Sequence, residues 1–427
     1  MDKESVEGIQ LLAVNFVNRL VLRRFEEASL EFDESMNAVF NAEKLGETWE
    51  KYVHDAGSLI QIVPVKTAKI DRYTVVLVQC EFQMLKIDVQ VVFNRQDQIS
   101  GLSFTPKTAN YNPPLYVDEK SFNEVEVNVG SGLWKLPGIL TIPDGKGPFT
   151  CVVLVHGSGP NDRDETIGPN KPFKDLAWGL ASNGIAVLRY DKRTFAHSKE
   201  LTPEIVQKMT VKEEVVDDAI SALKLLEEND SININSVFVL GHSLGATLIP
   251  RINEKYDKIC GLVIMAGFTR SLEDVILDQF NYIYSLSGNL TADQMEDLDN
   301  LKQKVENAKG GLSKTVQATD LPLNIPVDYW NDLHNYDPLN TIEKLKSPVL
   351  ILQGGRDYQV SSEKDFKEWK RVLNQDSRAS FKLFPNLNHL FISGKGRSSP
   401  EEYFEEGHVD EEVIITICSW IKEHECL

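Results

Sequence analysis

Five short apolar segments constrain the fold more strongly than any other feature of the chain: CVVLVHG, IAVLRYD, SVFVLGH, CGLVIMAG and PVLILQGG. Such unbroken apolar runs are typical of parallel strands that are buried on both faces of a sheet. Helix-like segments separate them. One of these has an apolar stripe at three- and four-residue steps, formed by Val211, Val215, Ala219, Ala222 and Leu226. This alternation predicts a doubly wound, mostly parallel α/β sheet with right-handed crossovers.

The first 110 residues follow a different pattern, in which helix-like segments precede the strand-like segments QIVPV, TVVLVQCEF and MLKIDVQVVF. The partial alternation of apolar and polar residues along these strand-like segments predicts an antiparallel sheet with one face covered by helices. Thr105–Tyr116 is rich in proline and asparagine and marks the best domain boundary. We therefore predict a smaller α+β domain over residues 1–110 and an α/β domain over residues 117–427.

One long interval, Thr269 to about Asp337, contains no strand candidate. An insertion of this size between two core strands is more typical of a helical cap than of a structureless loop. Aromatic residues of the interval, among them Phe280, Tyr329 and Trp330, are candidates to line a substrate pocket. The alternative is that they pack the cap onto the sheet edge.

Charge and composition exclude several classes of partner. Lys and Arg number 45 against 64 Asp and Glu, a net charge of −19, which argues against a nucleic-acid or anionic-membrane partner. No segment has the roughly 18–20 unbroken apolar residues of a transmembrane helix, and no signal peptide is visible. The five cysteines are scattered and form no cluster with histidine, which indicates neither a metal site nor a disulfide framework. We expect a cytoplasmic location.

The pentapeptide Gly241–Gly245 (GHSLG) lies directly after the strand-like SVFVL and directly before an apolar helix-like segment. A sharp strand-to-helix turn of this kind exposes a serine hydroxyl in a strained backbone conformation. The helix that follows directs its first N–H groups toward a developing oxyanion. Ser243 is therefore the candidate nucleophile, against the alternative of a tight turn without catalytic function.

A nucleophilic serine needs a base and an acid that orients the base. Asp357 follows the strand-like PVLILQGG, and His389 follows the last strand-like segment, ASFKLFP, in a polar loop. The order Ser, Asp, His is typical of a GxSxG turn on an α/β sheet. The alternatives are a helix-capping aspartate and a surface histidine.

The glycine-rich segment HGSG follows the strand-like CVVLV and is the candidate oxyanion loop. Acyl transfer requires two backbone N–H donors aimed at the oxyanion. We assign one to Leu244 and the other to Ser158, with Gly159 as the alternative. The nearby NDRDE run (Asn161–Glu165) and the run Asp191-Lys192-Arg193 either shape the substrate pocket or, as we prefer, brace this loop through a network of ion pairs.

Together, HGSG, GHSLG, GGRD and the late Asn388-His389 resemble the α/β-hydrolase superfamily from about Ser121 onward. The run HGSGPNDRDETIGPNKPFKDLAWGLASNGIAVLRYDKRT resembles bacterial carboxylesterases that act on short acyl esters. This resemblance implies a serine esterase with a helical cap between its sixth and seventh strands. The first ~110 residues are similar to nuclear-transport-factor-2-like domains that are fused to such hydrolases.

We therefore predict a serine hydrolase that needs no cofactor or metal and cleaves small-molecule, short-chain carboxylic esters through an acyl-enzyme intermediate. A thioesterase or an acyl-peptide hydrolase is the alternative within enzymes. A ligand-binding protein on a hydrolase scaffold is the alternative outside them. The first domain is a candidate for homodimerisation.

Overall fold

The computed structural model describes residues 3–53, 56, 59–70, 73–82, 85–107, 111–286, 288, 290, 292–309, 312–313 and 315–426. Its contacts divide the chain into two compact units. The first comprises Met1–Asn112 with the short segments Ile167–Pro169 and Tyr403–Glu406, and the second comprises the rest. Each unit has its own hydrophobic core.

In the first unit, helices precede a four-stranded antiparallel sheet with the strand order β1-β2-β3-β4. The sheet therefore confirms the antiparallel arrangement that the sequence predicted. Helix α1 packs on β1 and β2. The elements are α1 (Lys3–Val21), α2 (Phe25–Ser29), α3 (Glu34–Val39), α4 (Ala42–Val53), β1 (Leu59–Ile70), β2 (Tyr73–Phe82), β3 (Lys86–Phe93) and β4 (Ile99–Lys107).

The second unit is built on an eight-stranded sheet. Its strands are β5 (Phe122–Val129), β6 (Leu136–Pro143), β7 (Phe149–Val155), β8 (Ala186–Tyr190), β9 (Ile232–His242), β10 (Gly261–Met265), β11 (Val349–Gly354) and β12 (Ala379–Phe384). The strand order is β12-β11-β10-β9-β7-β8-β6-β5, in which only β5–β6 and β6–β8 pair antiparallel. The predicted mostly parallel α/β sheet is thus confirmed.

Helices join these strands. They are α5 (Pro172–Ser182), α6 (Arg193–Ala196), α7 (Pro203–Lys208), α8 (Asp217–Leu226), α9 (Leu244–Lys255), α10 (Leu272–Leu286), α11 (Ala292–Ala308), α12 (Val327–His334), α13 (Pro338–Ile342), α14 (Lys367–Leu373) and α15 (Glu411–Glu423). A π-helical turn, Lys212–Val216, leads into α8, and every residue of the predicted apolar stripe is buried there. Within the described ranges, no helix is long and apolar enough to cross a membrane.

A helical insertion separates β10 from β11, the sixth and seventh strands of the large sheet. It contains α10, α11 and α12, and its described residues form no strand. The hydrogen bonds that join it to the rest of the second unit include one from Tyr336 Oη to the carbonyl oxygen of Thr247 (2.8 Å) and one from Gln279 Nε2 to that of Gln359 (3.1 Å). The predicted helical insertion is therefore present.

One sequence expectation is wrong. The scattered cysteines indicated no disulfide, but the structure joins Cys260, at the start of β10, to Cys426 after α15. These residues are 166 positions apart, and only the fold brings them together. Cys80, Cys151 and Cys418 are buried free thiols, as expected for cysteines that serve as small apolar side chains.

We predict that Cys426→Ser lowers the free energy of unfolding by about 2–5 kcal/mol, because the disulfide restricts the unfolded chain. Urea denaturation measures this change. Dithiothreitol should destabilise the natural protein to the level of the variant and leave the variant unchanged. A natural protein that is insensitive to dithiothreitol would show that the bond contributes nothing.

Candidate active site

Ser243 occupies a sharp turn between β9, which ends at His242, and α9, which begins at Leu244. Its φ of 54° and ψ of −118° place a non-glycine residue in the left-handed half of φ space, a strain that occurs mostly at functional sites. The flanking glycines permit the turn. A Cβ at Gly245 would lie 2.3 Å from the carbonyl oxygen of Val155, and one at Gly241 would lie 2.5 Å from the nitrogen of Ala246. Larger residues cannot replace either glycine.

Asp357 and His389 meet at the ends of β11 and β12. The Nδ1 atom of His389 lies 2.8 Å from Oδ2 of Asp357, and both side chains are buried. Oδ2 also accepts the side-chain N–H of Gln353 (2.9 Å), while Oδ1 accepts the backbone N–H groups of Gln359 (2.8 Å) and Val360 (2.9 Å). With four donors on it, the carboxylate is fixed in place and holds the imidazole with a proton on Nδ1. Nε2 of His389 is then free to accept a proton.

His242 links the Ser243 turn to the His389 loop. It immediately precedes Ser243, and its Nε2 donates to the carbonyl oxygen of His389 (2.9 Å). The two imidazole rings lie 4.6 Å apart between centroids. The structure therefore brings the loops of all three sequence-predicted residues, Ser243, Asp357 and His389, to one edge of the sheet.

The HGSG loop lies against the same turn. A Cβ at Gly157 would lie 3.1 Å from Cβ of Ser243, and the Gly157 N–H donates to Oε1 of Glu165 (2.8 Å). Leu244 is the first residue of α9, where backbone N–H groups have no partner within the helix. The two predicted oxyanion donors thus belong to segments next to Ser243: Leu244 follows it in the chain, and Ser158 follows Gly157, which lies against it.

Glu165 and His242 form a buried ion pair that the sequence analysis did not identify. Nδ1 of His242 lies 2.9 Å from Oε2 of Glu165. Because both ring nitrogens face acceptors, both are donors and the imidazole is protonated. Burial acts to lower the pKa of His242, but the Glu165 charge and the hydrogen bonds outweigh it and raise that pKa above its ordinary value. Burial likewise opposes ionisation of Glu165, yet His242 lowers the pKa of the carboxyl.

The rest of the NDRDE run forms the ion-pair network that we preferred. Arg163 contacts Asp191 through two hydrogen bonds of 2.9 and 2.8 Å. Asp164 accepts from Arg189 (3.0 Å) and Lys171 (3.3 Å). These residues therefore form ion pairs, as the preferred interpretation expected, and their effect on the candidate oxyanion loop stays a prediction. The sequence signal was the alternating charge of the run, but two of the partners, Asp191 and Arg189, lie 28 and 25 positions away along the chain.

The predicted pocket residues have other surroundings. Trp330 is fully buried and belongs to the core of the second unit, so the packing alternative describes it. The Tyr329 hydroxyl donates to Oε2 of Glu214 (2.8 Å) and anchors the insertion. Phe280 packs partly buried against the same core and lies 6.2 Å from Tyr284 between ring centroids. Of the three, only Phe280 keeps an environment that suits a pocket wall.

The described residues contain no group of three or more His, Cys, Asp or Glu side chains that could hold a metal ion. The arrangement of Ser243, His389 and Asp357 supports acid–base and nucleophilic chemistry by side chains alone.

We predict that Glu165→Gln lowers the free energy of unfolding by about 3–5 kcal/mol, because it leaves one partner of a buried pair uncompensated. The raised pKa of His242 contributes stability below about pH 6.5, which is lost as the pH rises through that pKa. The lowered pKa of Glu165 contributes stability above about pH 4.3, which is lost on acidification. The free energies of unfolding of the variant and of the natural protein, measured by denaturation, should therefore differ most between about pH 4.3 and about pH 6.5.

Asp175→Asn is the matched control, since it removes a second buried carboxylate that contacts a histidine, His408 (3.1 Å). Both variants should be destabilised, but only Glu165→Gln should also lower kcat, because Glu165 contacts the oxyanion loop. A pH-independent stability difference for Glu165→Gln would contradict the buried ion pair.

Comparison with known proteins identifies the family of the chain. Residues 148–395 match the family model described as serine aminopeptidase, S33. Residues 13–102 match a family described as a protein of unknown function, which is of the nuclear-transport-factor-2-like kind that the resemblance implied. Esterase EstD of Thermotoga maritima is 39% identical over 407 residues, which cover 95% of this chain and 93% of that protein.

The solved structures that match this chain include two that are matched over nearly all of their own length. Est1E from Butyrivibrio proteoclasticus is 14% identical with a TM-score of 0.45, over 70% of this chain and 98% of its own. An esterase of Pyrococcus furiosus is 17% identical with a TM-score of 0.45, over 74% of this chain and 97% of its own. By the family match over most of its second unit and by its identity to EstD, the chain belongs to the S33 serine hydrolases of the α/β-hydrolase superfamily.

Proposed function

We propose that this protein is a carboxylesterase in which Ser243, His389 and Asp357 form a catalytic triad. The observation that carries the proposal is the buried hydrogen bond between His389 and Asp357 beside the strained Ser243 turn. The 39% identity to a protein named an esterase supports esters as the substrate class. No cofactor or metal enters this chemistry.

In the proposed reaction, Ser243 Oγ attacks the ester carbonyl carbon while Nε2 of His389 takes the hydroxyl proton. The N–H groups of Ser158 and Leu244 stabilise the oxyanion of the tetrahedral intermediate. The intermediate then collapses, the carbon–oxygen bond to the alcohol breaks, and His389 gives its proton to the departing alcohol. Water, activated by the same histidine, hydrolyses the acyl-enzyme and releases the carboxylic acid.

A second candidate is cleavage of peptide-like amides, which the description of the matched family as a serine aminopeptidase favours. An amide nitrogen is a poorer leaving group than an alkoxide, so the same triad would need stronger protonation of that nitrogen by His389. Matched ester, thioester and amide substrates with one acyl group distinguish the candidates. We expect the highest kcat/KM for the ester.

For the triad, we predict that Ser243→Ala reduces kcat by about 10⁴–10⁶ without unfolding the protein. Asp357→Asn should lower kcat by about 10⁴-fold, because asparagine favours the wrong tautomer of the His389 imidazole. Asp337→Asn is the matched control: Asp337 also follows the insertion, but its side chain caps α13 through the N–H groups of Leu339 and Asn340. Asparagine caps helices equally well, so this variant should keep its activity. Retained activity in Asp357→Asn together with lost activity in Asp337→Asn would assign the orienting acid to Asp337.

For acyl length, we propose a preference for short chains, because hydrogen bonds fasten the insertion on two sides of the site. One runs to Thr247, four residues after the nucleophile in α9, and one to Gln359, two residues after Asp357. We predict that Phe280→Ala moves the optimum toward longer esters, by on the order of 1–3 kcal/mol per fitted group. A series from acetyl to palmitoyl esters measures the shift, with Phe195→Ala, which removes an exposed phenylalanine elsewhere, as control. A uniform loss across the series would give Phe280 a packing role only.

We propose a cytoplasmic location, which the acidic composition and the three buried free thiols suit. The Cys260–Cys426 disulfide weighs against it, because such bonds persist mainly in oxidising compartments. Fractionation of cells with thiol-alkylation of the protein distinguishes the two locations.

A further inference from the structure

Lys192 lies two residues after the end of β8, and its ammonium is buried beside the oxyanion loop. The side chain is 2% exposed, and Nζ donates a hydrogen bond of 2.8 Å to the carbonyl oxygen of Gly157. Oε1 of Glu214 lies 3.5 Å from the same nitrogen. A buried ammonium is costly unless it has partners of this kind. Packing alone therefore does not explain why a cation lies at this position.

The carbonyl that Lys192 contacts belongs to the same peptide group as the N–H of Ser158. This peptide group is trans, and in a planar trans peptide the C=O and N–H bonds point in opposite directions. Any force that fixes the Gly157 carbonyl therefore fixes the direction of the Ser158 N–H. The side-chain amide of Asn161 also donates to the Gly157 carbonyl (3.3 Å), and to that of Ser158 (3.1 Å).

The position of this peptide group relative to the nucleophile is equally constrained. Gly157 lies against Ser243, and its own N–H is held by the buried carboxylate of Glu165. Glu165 thus fixes Gly157 at its N–H, and Lys192 fixes it at its carbonyl. The backbone N–H of Lys192 donates to the carbonyl oxygen of Asn161 (3.0 Å), which ties the segment that follows β8 to the same loop.

We propose that Lys192 is a positioning residue for the oxyanion hole, which holds and polarises the Gly157–Ser158 peptide so that the Ser158 N–H is a stronger and better aimed donor. The inference rests on the proposed function. A charge-assisted hydrogen bond to a carbonyl draws electron density from the peptide and strengthens the hydrogen bond that its N–H donates. The benefit appears only when negative charge develops on the substrate oxygen, that is, in the transition state.

Glu214 determines where the Lys192 ammonium lies. It belongs to the π-helical turn before α8, a kind of irregularity that is frequent at functional sites. Its carboxylate accepts hydrogen bonds from the hydroxyls of Thr194 (2.9 Å) and Tyr329 (2.8 Å). Tyr329 lies in α12 of the insertion, so a continuous set of contacts runs from the insertion through Glu214 and Lys192 to the oxyanion loop.

The test compares an aryl ester with its thionoester analogue, in which sulfur replaces the carbonyl oxygen and accepts hydrogen bonds poorly. We expect Lys192→Met to lower kcat for the ester by about 10–100-fold, less than the loss of a whole oxyanion donor, with little change in KM. The thionoester should lose much less activity, so the ratio of ester to thionoester turnover falls. The affinity for a trifluoromethyl ketone, whose adduct carries an oxyanion, should fall in parallel with the ester activity.

Two further variants separate positioning from stability. Lys192→Met combined with Glu214→Gln removes both buried charges, so it should fold where the single variant is destabilised and still show the reduced ratio. Arg193→Met removes the neighbouring cation, which contacts Asp218 rather than Gly157, and should keep the natural ratio.

Equal losses for ester and thionoester, or an unchanged ratio in the folded double variant, would overturn the role of Lys192. The proposed function is tested separately by Ser243→Ala in the same assay. If that variant is inactive while the Lys192 variants keep the natural ratio, the proposed function stands and only this inference fails. If Ser243→Ala retains turnover, the proposed function fails and the inference fails with it.

Discussion

The buried ion pair between Glu165 and His242 joins the three loops on which the active site depends. Glu165 holds the N–H of Gly157 in the oxyanion loop, and His242 immediately precedes Ser243 and holds the carbonyl of His389. Each of these loops leaves the sheet at a different strand, so none determines the position of another through the backbone alone. Buried charges are expensive unless they are fully paired, and here both ring nitrogens and both carboxylate oxygens have partners. Glu165 and His242 thus restrict the relative placement of the three loops to which we assign the nucleophile, the base and an oxyanion donor.

The large sheet and the neighbourhood of Ser243 could be predicted from local patterns. Strands buried on both faces need unbroken apolar runs, and the turn at Ser243 needs glycine at positions 241 and 245 because a Cβ at either position would lie within 2.5 Å of backbone atoms. The proximity of Asp357 to His389 followed from topology, since parallel strands end at the same edge of a sheet. These features depend on residues close in sequence or on a common architecture.

Other features depend on contacts between distant residues that no local pattern records. The sequence predicted ion pairs for the charged runs that contain Glu165 and Lys192, but the partners of these two residues and their burial against Gly157 depend on the fold. Trp330 has a residue type that suits a pocket wall, but it packs in the core of the second unit. The disulfide between Cys260 and Cys426 crosses 166 positions. The roles of the first domain, including the homodimer expected through it, stay predictions because substrate chemistry does not constrain them.

Mass spectrometry decides whether Ser243 becomes covalently acylated during turnover. The protein is mixed with excess aryl acetate, quenched in acid within the first turnovers, digested and mapped. We expect one acetyl group per chain, on the peptide that contains Ser243, and none on the Ser243→Ala variant treated in the same way. An acetyl group that accumulates on another residue, or hydrolysis at full rate by the Ser243→Ala variant, would contradict acylation at Ser243.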